Sequence, residues 1–369
     1  MKYYIIAGEA SGDLHGANLM KALLKEDPAA EIRFWGGDQM AAQGGTLVKH
    51  FKTLAFMGFW EVFINLKTIL NNLSFCKKDI LKFQPDTLIY IDYPGFNMRI
   101  AKWAKKQGIP NHYYISPQIW AWKENRIKKI KRDLDALYVI LPFEASYFKE
   151  QHNYDVTYVG NPLIQVIKNE RKKEDRFLLQ IEASNKPIIA LLPGSRKQEI
   201  NKMMPVFLSV IDRFPQYHFV LAGAPGIAPE WYQKFTLHPS VFLVHNQTYA
   251  LLKKAYAAIV TSGTATLETA LFGVPQMVCY KSSGLSYAIA KRIVDLEYIS
   301  LVNLILQKEV VKELIQDDCT LEKITATLEQ LGEEKTRQQI ELDYQNLTQL
   351  LGEKNASQTV AQAIFKQLQ

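Results

Sequence analysis

Short apolar runs alternate with helix-like stretches along this chain, and the alternation begins again near its middle. The runs span residues 3–7, 32–35, 47–51, 87–91, 112–115 and 136–141, then 187–192, 217–222, 241–244, 257–260 and 276–280. Helical periodicity fills most of the intervals, as at 15–25 and 98–107. A run such as Leu88-Ile89-Tyr90-Ile91 has no polar side to offer water. It fits a parallel sheet whose helical crossovers cover both faces. Two such series in 369 residues predict an α/β protein of two doubly wound domains. The charged run 168–176 reads as a solvated helix face near a linker. The expected domains are therefore 1–165 and 186–345, followed by a polar, helix-patterned tail at 346–369.

Doubly wound sheets bind ligands beyond the carboxyl ends of their strands, where the strand order reverses. In the common order that point lies between the first and fourth strands, and in both series these strands run into chemically dense loops. In the second series the first strand enters Pro193-Gly194-Ser195-Arg196. Arg196 has the forked donor that suits a diphosphate, or else it is a surface arginine paired with Glu199. The fourth strand enters Ser262-Gly263-Thr264-Ala265-Thr266-Leu267-Glu268 and a helix. A helix start offers free N–H groups and positive potential to phosphate. Gly263 lets a ligand approach the backbone, and Glu268 lies where a carboxylate meets a ribose. The competing reading is an ordinary helix with Thr or Ser as N-cap. No Lys follows the glycine, so this is not a Walker loop.

In the first series the first strand enters Gly8-Glu9-Ala10-Ser11-Gly12-Asp13. The spacing is not G-x-G-x-x-G, which argues against a dinucleotide oxidoreductase. The loop reads as an acceptor-side wall in which Glu9 positions a sugar, or as a helix start capped by Ser11 or Asp13. Gly12 and Gly16 would also let a helix pack close to the sheet. The fourth strand ends at Asp92, followed by Tyr93-Pro94-Gly95-Phe96-Asn97. Asp92 is the best general-base candidate, against the alternative of a turn-capping Asp before Pro-Gly. Trp120 and Trp122 line a sugar or acyl pocket, or pack in the core. Asp133 and Asp135 mimic a metal pair but fall at a helix end, and no metal is expected.

The net charge of +7 favours an anionic partner, and no nucleic-acid module is apparent. From Arg99 to Arg132 ten Lys and Arg face a single acid, Glu124, as a solvated helix face or as an attraction for phosphate or anionic lipid. Residues 54–75 are unusually apolar, with a narrow polar stripe at Glu61, Asn65, Thr68 and Asn72. This is either a buried helix or one that exposes Phe56, Phe59, Trp60 and Phe63 to lipid. Cys76, Cys279 and Cys319 show no disulfide or metal spacing and suit a reducing cytosol. The N-terminal run is neither a signal peptide nor a membrane span.

These loops together resemble the lipid-A-disaccharide synthases, bacterial inverting glycosyltransferases of the two-Rossmann GT-B type. The matching motifs run in order along the chain. They are residues 7–13, Met57-Gly58, 91–97, 116–122, Leu141-Pro142-Phe143-Glu144, 191–196, 262–268, Ala290-Lys291-Arg292 and 298–304. The resemblance implies an interdomain cleft and a C-terminal helix, within 346–369, that packs back on the N-terminal domain. It implies transfer from UDP-2,3-diacylglucosamine to 2,3-diacylglucosamine 1-phosphate (lipid X) without metal or cofactor, at the cytoplasmic face of the inner membrane. It places the family's essential aspartate on Asp92, its cleft arginine on Arg196, its donor-side asparagine on Asn303 and the ribose contact on Glu268; with the loop reading of Glu9, the catalytic candidates are Asp92, Glu9 and Arg196. Taken with the loop reading above, Gly194, Ser195, Arg196, Ser262, Gly263, Thr264, Thr266, Glu268 and Asn303 are expected on the UDP side, and Ser11, Gly12, Asp13, Asn97 and Trp120 on the acceptor side. Gly95, Val302 and Asn161 depart from the family's usual acidic residue, proline and histidine. The rivals are another UDP-sugar transferase, a UDP-sugar epimerase and a membrane-attached binding module without turnover. Oligomeric state is open at this stage.

Overall fold

The computed structural model describes residues 1–53, 66–173, 185–282 and 296–369. It forms two units, Met1–Pro162 with Glu353–Gln369, and Leu163–Gly352. In the first unit the strands are β1 Lys2–Ala7, β2 Glu31–Gly36, β3 Thr46–His50, β4 Thr87–Ile91, β5 Asn111–Tyr114, β6 Ala136–Val139 and β7 Thr157–Tyr158. They pair in the order β3-β2-β1-β4-β5-β6-β7, parallel throughout. In the second unit they are β8 Ile188–Leu192, β9 His218–Gly223, β10 Val241–His245, β11 Ala255–Thr261, β12 Gln276–Tyr280 and β13 Lys312–Ile315. Their order is β10-β9-β8-β11-β12-β13, again all parallel. Both sheets are doubly wound, and both reverse between the first and fourth strands of their unit.

The strand period of two explains how β1 serves two cores. Tyr4 and Ile6 pack with Trp35, Tyr90, Tyr113 and Ile100 on one face. Tyr3, Ile5 and Ala7 pack on the other with Leu19, Met20 and Leu23 of helix Ala10–Glu26. The C-terminal helix Ala356–Leu368 joins this second layer through Val360, Ala361 and Ile364. On the first face a polar network sits inside the apolar core. Arg33 grips both oxygens of Asp79, and Tyr4 donates to the same carboxylate at 2.8 Å while accepting from Trp35 Nε1.

Two strands carry no apolar run in the sequence, β7 and β13. Both are sheet edges with half-exposed residues, so burial did not require an apolar run. Of the polar stripe expected at Glu61, Asn65, Thr68 and Asn72, the first two lie outside the described residues, Thr68 is exposed, and Asn72 is corrected within helix Leu66–Phe83. Asn72 is buried and accepts from Lys49 of β3, whereas Leu70 and Phe75 are 56% and 48% exposed. The helix therefore turns an amide inward to satisfy a lysine and leaves apolar surface outside. Phe56, Phe59, Trp60 and Phe63, together with Met57-Gly58 and Ala290-Lys291-Arg292, lie outside the described residues. Among the described residues no helix is long and apolar enough to cross a membrane.

Candidate functional site

At the reversal of the first sheet, Asp92 follows β4 and breaks the strand geometry. Asp92 and Tyr93 both have left-handed backbones, with φ of 45° and 53°. Such conformations cost a non-glycine residue about 1 kcal/mol or more and persist where surrounding bonds enforce them. Here the enforcing bonds converge on the Asp92 carbonyl, which accepts from Asn97 Nδ2 at 2.7 Å and from the Tyr113 hydroxyl at 2.5 Å. The Asp92 N–H meanwhile extends the ladder to Tyr114. Gly8 completes the fit: a Cβ there would lie 2.3 Å from the Tyr93 ring, so only glycine lets that ring pack against the end of β1. The turn is followed at once by helix Pro94–Lys106, with proline in its first turn. The Asp92 side chain is half-buried, and loss of hydration raises its pKa against an opposing bond from the Tyr93 N–H.

Glu9 occupies the N-cap position of helix Ala10–Glu26 but makes no capping bond with its side chain. Its charge bears on the Tyr93 phenol, whose pKa is raised first by burial and then by Glu9. The turn at Asp92 and the loop after β1 therefore share Tyr93. Ser11 is exposed on the first turn. Three acceptor-side residues prove to be internal. Gly12 is buried, and a Cβ on it would sit 3.2 Å from Ala7 Cβ, so it sets the helix against β1. Asp13 is 3% exposed and accepts from the N–H groups of Gly37, Gln39 and Met40, tying down the turn after β2. Asn97 is fully buried and spends its amide on the carbonyls of Ile6, Ile91 and Asp92. These are corrections: Gly12 is packed against β1, and the side chains of Asp13 and Asn97 are committed to backbone groups inside the fold and have no surface for a sugar.

Trp120 is half-buried and donates to Glu144 at 3.2 Å, its ring edge-on to Phe143 at 5.0 Å. Glu144 also accepts from the N–H groups of Ile140 and Leu141, in a capping-box arrangement. Burial pushes its pKa up to about 7, against these three donors. Glu144 and Tyr113 were not expected as site residues. Each acts through a neighbour, Trp120 or Asp92, and sequence gives no sign of that. Among the described residues no cluster of His, Cys, Asp and Glu has the form of a metal site. Asp133 pairs with Arg132, and Asp135 with Lys105.

The second unit presents its own pair of loops. After β8, Gly194 (φ 112°) turns the chain, and Glu199 closes the turn by accepting from Ser195 N and from Arg196 Nη1 at 3.0 Å. The Arg196 side chain is 51% exposed in this pair. Exposed pairs of this kind contribute roughly 0–1 kcal/mol, so a diphosphate can compete for the guanidinium.

After β11, Gly263 has φ 155° and ψ −165°, a region open in practice only to glycine, with open space where a Cβ would be. It is Gly263, not a Thr or Ser, that occupies the N-cap of helix Thr264–Leu271. Thr264 is exposed at the first position. Thr266 is corrected: it is fully buried, and its hydroxyl donates back to the Gly263 carbonyl at 2.8 Å. The Ser262 hydroxyl donates to the Ile299 carbonyl. Glu268 is half-buried and accepts from Tyr249 at 2.7 Å, with its pKa raised by burial against that bond.

Asn303 also changes role. It is fully buried and uses all four of its hydrogen-bonding positions. Its amide donates to Val311 O and Glu313 Oε1, and its oxygen accepts from Val310 N and Val311 N. Glu313, on the edge strand β13, further accepts from Ile299 N and Ser300 N. Asn303 therefore fastens the 299–303 segment that receives Ser262 and leaves no group for a nucleotide.

The chain matches the family model described as lipid-A-disaccharide synthetase over residues 3–366. A lipid-A-disaccharide synthase of Syntrophus aciditrophicus (strain SB) is 39% identical, covering 97% of this chain and 95% of the relative. One from Coxiella burnetii (strain CbuK_Q154) is 37% identical, covering 98% and 96%. Among solved structures, the UDP-GlcNAc 2-epimerase of Neisseria meningitidis bound to UDP-GlcNAc superposes with a TM-score of 0.70 at 15% identity, covering 99% of this chain and 100% of that one. The glycotransferase of kitacinnamycin gives 0.69 at 13%, covering 100% and 99%. At these identities the structural likeness speaks for the fold alone.

Proposed function

The chain belongs to the lipid-A-disaccharide synthetase family, and from that premise we propose that it joins UDP-2,3-diacylglucosamine to 2,3-diacylglucosamine 1-phosphate (lipid X). It is a glycosyltransferase of lipid A biosynthesis. The products are the β-1,6-linked disaccharide 1-phosphate and UDP. In one inverting displacement the acceptor oxygen bonds to the anomeric carbon as the bond to UDP breaks. Asp92 takes the proton of the acceptor hydroxyl, and Glu9 helps to position the acceptor sugar. Negative charge develops on the departing diphosphate. Arg196 and the N–H groups at Gly263 and Thr264 supply positive potential to receive it. Glu268 contacts the ribose, and Gly194, Ser195 and Ser262 shape the donor loops. Asp13, Asn97, Thr266 and Asn303 act as supports for these loops.

The observation that carries this mechanism is the Asp92 turn. A carboxylate with a raised pKa stands on two consecutive left-handed residues that buried donors hold in place. The exposed Leu70 and Phe75 and the basic surface of the first unit support peripheral association with the inner membrane on its cytoplasmic side. The test is a product assay with both acylated substrates, read by mass spectrometry. The expected result is disaccharide 1-phosphate and UDP in equal amounts. A 2-epimer of the donor formed without acceptor would overturn the reading in favour of epimerisation.

A further inference from the structure

Trp122 is 40% exposed in the loop after β5 and carries two cations on its ring. Lys123 Nζ lies 4.2 Å and Arg126 Cζ 4.9 Å from the ring centroid. The backbone arranges this. Lys123 is left-handed (φ 57°) and starts the short turn Glu124–Arg126, which runs into helix Ile127–Asp133. Ile127 and Ile130 anchor that helix in the core.

Arg126 is half-buried, yet among the described residues it has no carboxylate within ion-pair distance. The nearest acid in sequence, Glu124, pairs with His152 instead. Arg33, Arg132 and Arg196 all have a carboxylate. Burial lowers the pKa of Arg126, and burial followed by the charges of Arg126 and Lys129 lowers that of Lys123. Two neighbouring cations share one indole, Arg126 half-buried and Lys123 exposed beside it, an arrangement that an anion between them would relieve. The place is also defined. The loop after β5 leaves the carboxyl end of a strand paired in parallel with β4, and Tyr113 of β5 holds the Asp92 carbonyl through its hydroxyl. The cations thus lie at the same end of the sheet as Asp92.

We propose that Trp122, Lys123 and Arg126 bind the phosphomonoester of the acceptor sugar and so anchor its reactive hydroxyl at the Asp92 edge. The guanidinium fork takes two phosphate oxygens, the ammonium a third, and the indole holds both cations in place. This deepens the functional reading above and rests on it for the identity of the acceptor.

The test compares Arg126→Gln, Lys123→Gln and Arg126→Lys with the wild-type enzyme in detergent micelles. It uses the phosphorylated acceptor, its dephosphorylated counterpart and the UDP-sugar. The expected result for Arg126→Gln is an acceptor KM and Kd raised about tenfold or more, with donor KM changed less than about twofold. Arg126→Lys should recover part of the loss. Wild type and Arg126→Gln should handle the dephosphorylated acceptor alike. An equal loss on the dephosphorylated acceptor, or a loss confined to the donor, overturns the proposal. So does an unchanged acceptor KM with weakened sedimentation on phosphatidylglycerol vesicles, which would make the patch a membrane contact. Phosphate-dependent binding in wild type without turnover would overturn the transferase reading and leave this site standing.

Discussion

Asp92 shows how one residue can be costly to the fold and useful to the chemistry. Its pKa is raised in the folded state, so between the unfolded and folded values the native protein binds more protons than the unfolded chain. Stability therefore falls as pH rises through that window, and the deficit persists at neutral pH. Asp92→Asn removes the charge and keeps a side chain that tolerates left-handed backbone. We expect transfer to fall by about 100-fold or more while Tm, followed by circular dichroism, stays level or rises. For the wild type, activity requires the carboxylate, so kcat/KM should fall on acidification with an apparent pKa above the ordinary carboxylate range of about 4. Asn303 gives the opposite pattern. Asn303→Ala strands the Val311 N–H and takes a donor from the Val311 carbonyl and from Glu313, while the Val310 N–H keeps its bond to the Lys308 carbonyl; the cost is about 1–3 kcal/mol for a buried group left unpaired. Denaturant melting should register that loss. A large rise in UDP Kd without destabilisation would restore Asn303 as a ligand. The sequence made Asp92 and Asn303 look alike, as polar residues in strong motifs. Only the partners of each side chain distinguish a half-buried acid from a saturated amide.

Elements succeeded or failed as units according to how fully they are buried. Strand β1 is legible because both of its faces are covered, and β4 reads cleanly for the same reason. Strands β7 and β13 are not, because an edge needs no apolar run. Helix Leu66–Phe83 misleads at Asn72, since the half-buried Lys49 on β3 takes the Asn72 amide oxygen as its acceptor. The polar network joining helix Leu66–Phe83 to β2 and β1 is equally silent in sequence: Arg33, Asp79, Tyr4 and Trp35 are far apart in the chain. Burial works to raise the Asp79 pKa, but Arg33 and Tyr4 outweigh it and hold it below its ordinary value. A depressed carboxylate contributes stability above its unfolded pKa and loses it as pH falls through the folded one. Asp79→Asn should thus destabilise by roughly 2–4 kcal/mol at pH 7, discounted for the partly exposed arginine. The difference from wild type should shrink below about pH 4. A pH-independent difference would assign the effect to packing.

At the scale of the molecule, the C-terminal segment Glu353–Gln369 belongs to the unit formed by Met1–Pro162. Helix Ala356–Leu368 covers a face of the first sheet's core that would otherwise meet water, with Ile364 fully buried. Ile364→Ala should cost about 2–5 kcal/mol. Hydrogen exchange should show the loss in β1 and helix Ala10–Glu26 before the second sheet. Equal loosening of β8–β12 would contradict the division into units. What the sequence determined by itself is the architecture and the reaction family. Apolar runs at strand length, repeated twice, admit few structures other than two doubly wound sheets, and reversal after the first strand fixes which loops can meet ligand. Tertiary structure decided which residues of those loops are available. Asp13, Asn97, Thr266 and Asn303 are consumed by backbone groups distant in sequence or turned inward, whereas Asn97 and Tyr113 hold Asp92 through its backbone carbonyl and leave its carboxylate half-buried. The physical reason is hydrogen bonding: most buried polar groups must find a partner, and only the folded chain shows which one each has found.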